Sequence, residues 1–470
     1  MQGIIKHLLW EQPTQRLVFA VFVALNVLLM GFSVPQGPYV AAADVAVSME
    51  PARALLEGAG FVHPDGRPYV WGTPLYPVFL AIFLGIFPWQ LALYAIVVVQ
   101  CLLLYSIGLM TRSIAAVFAP KAATLAQLLL IFNPNVLVTA HLLQTEILFT
   151  FFLSAGVVMM IRYRDTPSWR TAATVGVLVG LATLVRPVGQ FVLLLLPVFF
   201  LMFVSKVSRH ALIRSAAAGV LAAMVATLVL FPWIARNQQL FGTPFLTANA
   251  GMYLEAQYRQ LLHNGNGLAD ADTAVTAEES LARHLAGIGV GKEEMERLPR
   301  IEQSRILSAC YLNAILDVPV SAHARAMVLG LGELYLAGGV SNLRNYLGIQ
   351  GRASIVQFQS AAVPSLMDAV SGFLSRINFG YAILLFVGFG YTVAMRIAGI
   401  AGLVKMLGSG SLRPTLAILL LIATLTMSYL YLGQSRFRVP MEPYLAVMAA
   451  IGISTLRNRL NRGDRRNVGL

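Results

Sequence analysis

Apolar runs of about 17–25 residues, the length a bilayer core requires, recur along the chain between short polar stretches. They predict membrane-spanning helices near 16–33, 90–110, 120–138, 143–161, 170–185, 187–205, 211–234, 378–398, 414–432 and 438–456. A shorter apolar piece, "PLYPVFLAIFLGIF" (74–87), is too short for a comfortable crossing and predicts a re-entrant or interfacial helix. The expected fold class is an all-α polytopic membrane protein with about ten transmembrane helices, or about eleven with that piece.

One polar-rich segment, 237–377, interrupts this rhythm. In "EEMERLPRIEQSRILSACYLNAILDVP" the residues Leu298, Ile301, Ile306, Leu307, Cys310, Leu312 and Ile315 form a stripe with helical spacing, closed by Pro319. The following "SAHARAMVLGLGELYLAGG" reads as a helix lying on or dipping into the outer leaflet. After the first span, "PARALLEGAG" reads as a short interfacial helix with Pro51 at its first position and Gly58 beyond its end. Three parts are expected: a membrane module at 1–236 containing a first outer loop (34–74), a helical outer segment at 237–377, and a second membrane module with a basic tail at 378–470.

Composition agrees with the pattern: 57% of residues are hydrophobic and 12% charged, against about 25% charged in a soluble protein. An even number of crossings puts both termini on one side. That side collects Lys6, Arg16, Arg112, Lys121, Arg162, Arg164, Arg170, Lys206, Arg209, Arg214, Arg396, Lys405, Arg413 and the tail "RNRLNRGDRR" against Glu11, Asp165 and Asp464. The positive-inside rule makes it cytoplasmic. The net charge of +13 is therefore topology, and no nucleic-acid partner is expected. The first apolar run, Leu17 to Val34, is longer than the core of a signal peptide and reads as a retained span. Cys101 and Cys310 fall in different parts of the fold, so no disulfide is expected, and no metal-type Cys/His spacing exists.

The expected outer side breaks the orientation rule with Arg53, Arg67, Arg186, Arg236, Arg436 and Arg438, and the acids there are Asp44, Glu50, Glu57, Asp65, Glu146 and Glu442. Arginine forks at a membrane surface suit a phosphate; snorkelling to headgroups or pairing with the acids is the plainer reading. Pro440 disfavours helix at Val439, so "SRFRVP" reads as extended, with Arg436 and Arg438 on one face. Asp44 reads either as a helix N-cap or as a general base. Glu146, at the mouth of the fourth span, reads as a helix-start acid or a site residue, and nearby His141 as a hydrogen-bonded loop residue. No Asp, Glu or Lys stands deep within an expected span, which argues against a proton-coupled transporter.

The ordered stretches "ADVAVSMEPARALLEGAGF", "TPLYPVFLAIF", "NPNVLVTAHLLQTEILF", "GLATLVRP", "FPWIARNQQLFGTP" and "RFRVPMEPYLAV" resemble the GT-C glycosyltransferases, which include protein O-mannosyltransferases, aminoarabinose transferases and oligosaccharyltransferases. The resemblance implies a polyprenyl-phosphate-linked sugar as donor and an envelope lipid, glycan or protein as acceptor. It implies inverting transfer on the outer face of a bacterial inner membrane. It matches Asp44 to the catalytic acid of the first outer loop. Donor phosphate would fall to Arg186, Arg436, Arg438 and Arg67, with Glu50, Arg53, His141, Glu146, Tyr76, Arg236 and Glu442 as acceptor or auxiliary residues. Where many members carry a base before the "PLYP" element, this chain has Gly72. No cofactor is required by this reading; a divalent cation stays open, since one clear acid is too few to define its site. A non-catalytic scaffold of the same shape and a lipid or polysaccharide exporter are the alternatives.

Overall fold

The computed structural model describes residues 13–31, 45–204, 208–348, 379–408 and 411–467. The described chain is helical; its one β feature is an isolated bridge between Val62 and Pro68. The first half comprises α1 (Pro13–Gly31), α2 (Val45–Leu56), α3 (Leu75–Ile86), α4 (Trp89–Phe118), α5 (Ala123–Ile131), α6 (Pro134–Ala140), α7 (Glu146–Asp165), α8 (Trp169–Val185), α9 (Gly189–Leu194), α10 (Leu196–Met202) and α11 (Arg209–Phe241). The long segment holds α12 (Ala250–Leu261), a π-helical turn (Leu262–Asn266), α13 (Asp270–Ile288), α14 (Lys292–Arg297), α15 (Arg300–Leu316), α16 (Val320–Leu336) and α17 (Val340–Leu347). The chain then continues through α18 (Phe379–Leu407), α19 (Leu412–Met427), a 3₁₀ turn (Ser435–Met441) and α20 (Glu442–Asn467).

Among the described residues, six helices are long and apolar enough to cross a membrane, or up to eight if each of two bent pairs is one span. Three shorter apolar helices, α3, α8 and α19, fall below that length. Proline and polar caps explain where the expected spans break. The expected span 120–138 is two helices bent by 57°: the Asn133 side chain accepts from the Asn135 and Val136 amides, and Pro134 occupies the first turn of α6. The expected span 187–205 is likewise divided at Leu195, with Pro197 in the first turn of α10.

Other boundaries move outward. Helix α11 runs on to Phe241 and stops at Gly242, whose φ of 73° suits a residue without a Cβ. Arg236 is therefore inside a helix rather than in a loop. Helix α2 begins at Val45, and Pro51, expected at its first position, lies within it. Helix α18 extends to Leu407, so Arg396, counted above among the cytoplasmic charges, stands inside an apolar helix. Glu442, read as a site residue at a span end, is wholly buried. The interior thus contains charges that the reading of the spans did not place there.

Helices α18 and α20 cross at Gly402 and Gly452, where an added Cβ on either residue would collide with the other helix's backbone. Small residues at such a crossing let two helices approach closely where no hydrophobic driving force separates them from lipid. The long segment has a satellite core of Tyr258, Leu262, Ala277, Cys310 and Tyr311. The expected stripe on α15 is realised by Ile301 and Cys310, whereas Leu312 is 49% exposed. Both cysteines are free and buried. α15 and α16 are bent by 106°. α16 ends inside the bundle: Gly338 lies on the backbone of Gly388 in α18, and the Tyr335 hydroxyl is 2.6 Å from Thr426 Oγ1 of α19.

Candidate active site

Pro187 ends α8 by pushing the residue before it out of the helical region, and Arg186 is extended at φ −142° and ψ 128°. Its side chain meets the first turn of α7, where the positive end of the helix dipole favours an acid. The guanidinium lies 2.5 Å from Glu146 Oε1. It also donates to Thr145 Oγ1 at 3.1 Å and to the Tyr429 hydroxyl at 3.0 Å. The pair is closed off from solvent, with side-chain exposures of 13% and 3% for Arg186 and Glu146.

Aromatic rings wall this pair. Tyr429 stacks on Phe437 at 4.2 Å and 8°, Tyr253 meets Tyr429 edge-on at 6.3 Å, and Phe437 lies 5.8 Å from the Arg186 guanidinium. Arg436 approaches the same Phe437 ring at 4.8 Å. Two helix ends, the connection after α19, the 3₁₀ turn and α12 therefore converge here. Thr145, Tyr253, Tyr429 and Phe437 were absent from the sequence candidates. For Tyr429 and Phe437 the one signal is their place as aromatics beside apolar runs; Thr145 and Tyr253 carry none.

Arg436 and Arg438 do not share a face. Residues 435–441 form a 3₁₀ turn instead of an extended run, and at three residues per turn positions two apart diverge. Arg438 is fully buried. It donates to Glu442 Oε1 at 2.5 Å, to the Ala337 carbonyl at 2.9 Å and to the Leu334 carbonyl. Arg396 donates to the same Glu442 oxygen at 2.6 Å and to the Tyr335 carbonyl at 3.1 Å. Arg438 and Glu442 thus serve the end of α16, and the carboxylate is not open to an acceptor.

The remaining candidates are spread along the first loop and its supports. Arg53 lies 4.4 Å over the Trp89 ring. The Arg236 fork donates to the carbonyls of Phe61 at 2.8 Å and Tyr69 at 2.9 Å, fixing the loop before α3 onto α11. Arg67 is exposed and 3.6 Å from Asp65. The Tyr76 hydroxyl donates to Gln100 Oε1 at 3.0 Å. His141 is fully buried between Asn26 Oδ1 at 2.8 Å and the Tyr346 hydroxyl at 2.9 Å, tying α17 to α1. Glu50 is half-buried on α2. Asp44 lies outside the described residues, as do residues 32–43 before it.

Within the first loop, His63 packs against the Tyr69 ring at 5.2 Å and the Trp71 ring at 5.8 Å. Burial pushes its imidazole below the usual pKa, with Asp65 and Glu50 opposing and Arg300 adding to the shift. At Gly72, where the resemblance expects a base, an added Cβ would run into the Tyr69 hydroxyl. No group of three or more His, Cys, Asp and Glu residues is arranged to hold a metal ion among the described residues.

No protein-family model and no curated protein matches this chain. Solved structures do match. The chain is similar to the Archaeoglobus fulgidus oligosaccharyltransferase in its apo form, with a TM-score of 0.51 and 14% identity over 96% of this chain and 52% of that one. The same enzyme tethered with an acceptor peptide containing the NVT sequon via a disulfide bond gives 0.51 and 15%, over 94% and 50%. ArnT from Cupriavidus metallidurans bound to undecaprenyl phosphate matches at 0.38 and 15%, over 95% and 78%. The chain spans about half the length of the oligosaccharyltransferase it matches. The shared fold is that of the GT-C glycosyltransferases.

Proposed function

We propose that this chain is a membrane glycosyltransferase that moves a sugar from a polyprenyl-phosphate donor to an envelope lipid, glycan or protein acceptor. The observation that carries this reading is the buried Glu146–Arg186 pair, bonded to Tyr429, at the convergence of helix ends in an oligosaccharyltransferase-like fold. A fold is not a function; the chemistry of the pair supplies the rest. A prenyl phosphate lies with its tail among lipids and its charge at the surface. A cation held at a helix end is what its phosphate needs there. Arg186 has five N–H groups, of which Glu146, Thr145 and Tyr429 engage some. The others are offered to the phosphate, with Arg436 and Arg67 as supporting cations.

In the reaction, an acceptor hydroxyl oxygen attacks the anomeric carbon, the sugar–phosphate bond breaks, and the prenyl phosphate leaves with the electron pair. Asp44 takes the hydroxyl proton, and attack opposite the leaving group inverts the anomeric centre. General base catalysis contributes about 10²–10⁴ in rate, and a preorganised charge on the leaving group about 3–4 kcal/mol. The site faces the outer side of a bacterial inner membrane, with both termini in the cytoplasm.

The test is transfer itself. Purified protein in nanodiscs is incubated with labelled polyprenyl-phosphate sugars and an envelope extract. Label passes to an extracted acceptor, and Asp44→Asn, a cap as good as Asp, reduces this by at least about 100-fold with the fold intact. Absence of transfer with any donor supports the scaffold reading instead. Wild-type turnover in folded Asp44→Asn removes the base assignment.

A further inference from the structure

The last turn of α16 ends within the bundle, where three of its terminal carbonyls would otherwise be unsatisfied. Two arginines from separate segments satisfy them. Arg438, from the 3₁₀ turn, donates to Leu334 and Ala337, and Arg396, from the middle of α18, donates to Tyr335. Cations also complement the negative end of the helix dipole. Glu442 Oε1, at the start of α20, accepts from both guanidiniums and offsets their mutual repulsion. Three stretches far apart in sequence, the end of α16, the middle of α18 and the 3₁₀ turn that runs into α20, are thereby joined around one carboxylate.

The 3₁₀ turn carries two duties on adjacent residues. Arg438 faces α16, while Phe437 stacks on Tyr429 and stands beside Arg186. The position of the turn is thus fixed on one side by the end of α16 and on the other by the aromatic wall of the candidate site. Tyr335, one residue beyond Leu334, adds a contact to Thr426, two residues before the connection that holds Tyr429.

We propose that Glu442, Arg396 and Arg438 are positioning residues that clamp the end of α16 and, through the 3₁₀ turn, hold Phe437 and Tyr429 against Arg186. The long segment between α11 and α18 then sets the shape of the donor site without touching the donor. This inference rests on the transferase reading only for its kinetic consequence; the clamp itself is measured independently.

Hydrogen exchange of the full-length protein in nanodiscs tests the clamp. Glu442→Gln leaves two guanidiniums facing each other, and exchange across 331–347 quickens by about tenfold or more, while exchange in α4 stays unchanged. Adding Arg396→Gln relieves that repulsion but gives up the arginine on the Tyr335 carbonyl, so exchange in Arg396→Gln/Glu442→Gln rises by less than the two single changes together. Unchanged exchange in Glu442→Gln overturns the clamp whatever the activity. If Glu442→Gln does not fold, Arg396→Lys, which keeps the charge and loses the fork, gives the same readout in a milder form.

Turnover tests the coupling to the site. In folded Arg396→Lys the KM for a labelled polyprenyl-phosphate sugar rises several-fold, because the wall beside Arg186 shifts. A loss of folded protein alone would lower apparent kcat and leave KM where it was. Faster exchange at 331–347 with wild-type KM and kcat overturns the positioning role. Absence of any turnover in the wild-type protein counts against the transferase reading and leaves the exchange result standing.

Discussion

Arg186 and Glu146, 40 positions apart in the chain, meet at 2.5 Å with both side chains largely buried. Removing one partner of such a pair leaves the other charged and buried, which costs about 3–5 kcal/mol. Glu146→Gln and Arg186→Met are each expected to lower thermal stability sharply. The double variant is expected to be milder than the sum of the two, since the stranded charge is gone. Thermal unfolding of all four proteins in one detergent checks this. Simple additivity would mean that the two side chains do not act as a pair.

Arg436 and Arg438 are expected to behave as different kinds of residue. Arg438→Ala leaves the buried Glu442 to Arg396 alone and frees the Leu334 and Ala337 carbonyls at the end of α16, with a stability loss of about 3 kcal/mol. Arg436→Ala keeps the fold and weakens donor binding. Donor affinity measured beside the melting temperature separates them. Equal effects on both quantities would restore the shared-face clasp expected from sequence.

The first loop is expected to loosen in acid. The His63 pKa is lowered in the folded protein, so the unfolded state takes up a proton first. The stability this residue contributes is full above its ordinary value of 6.5 and is lost as pH falls below it toward the folded value. Hydrogen exchange across residues 57–74 between pH 8 and pH 5, corrected for intrinsic chemistry, should rise on acidification by more than in His63→Gln. Identical pH dependence in the variant would place the sensitivity elsewhere.

Gly72→Ala is expected to destabilise the same loop, because its new methyl meets the Tyr69 hydroxyl. Tyr69→Phe removes that oxygen and should recover most of the loss in the double variant. Limited proteolysis of the loop reports both. Failure of the second change to rescue the first would point to the backbone at Gly72 and away from the hydroxyl.

Long apolar helices were readable from the chain because lipid demands length and composition, and little else, of each one. Helix breaks were harder. The sequence "FNPNV" contains both the cap and the proline that divide an expected span, yet hydropathy runs through them undisturbed. Glu146 and Arg186 could each be singled out as charges at span ends, but periodicity carries no information on residues from different helices. Tyr429 and Phe437 look like an interfacial aromatic belt when read along the chain. Arg438 reads along the chain as a phosphate ligand because its partners, two carbonyls at the end of a helix and a carboxylate shared with Arg396, come together only in the fold.

The buried end of α16 also constrains the order in which the protein can be completed. During synthesis, residues 320–336 emerge before Arg396, Arg438 and Glu442 exist. Until α18 and α20 have entered the bilayer, that helix has no cap for its carbonyls and no reason to stay among them. The end of the long segment must therefore wait, unfinished, for α18 and α20. A chain cut before Glu442 would lose its final helix and, with it, the settled conformation of a region finished more than a hundred residues earlier.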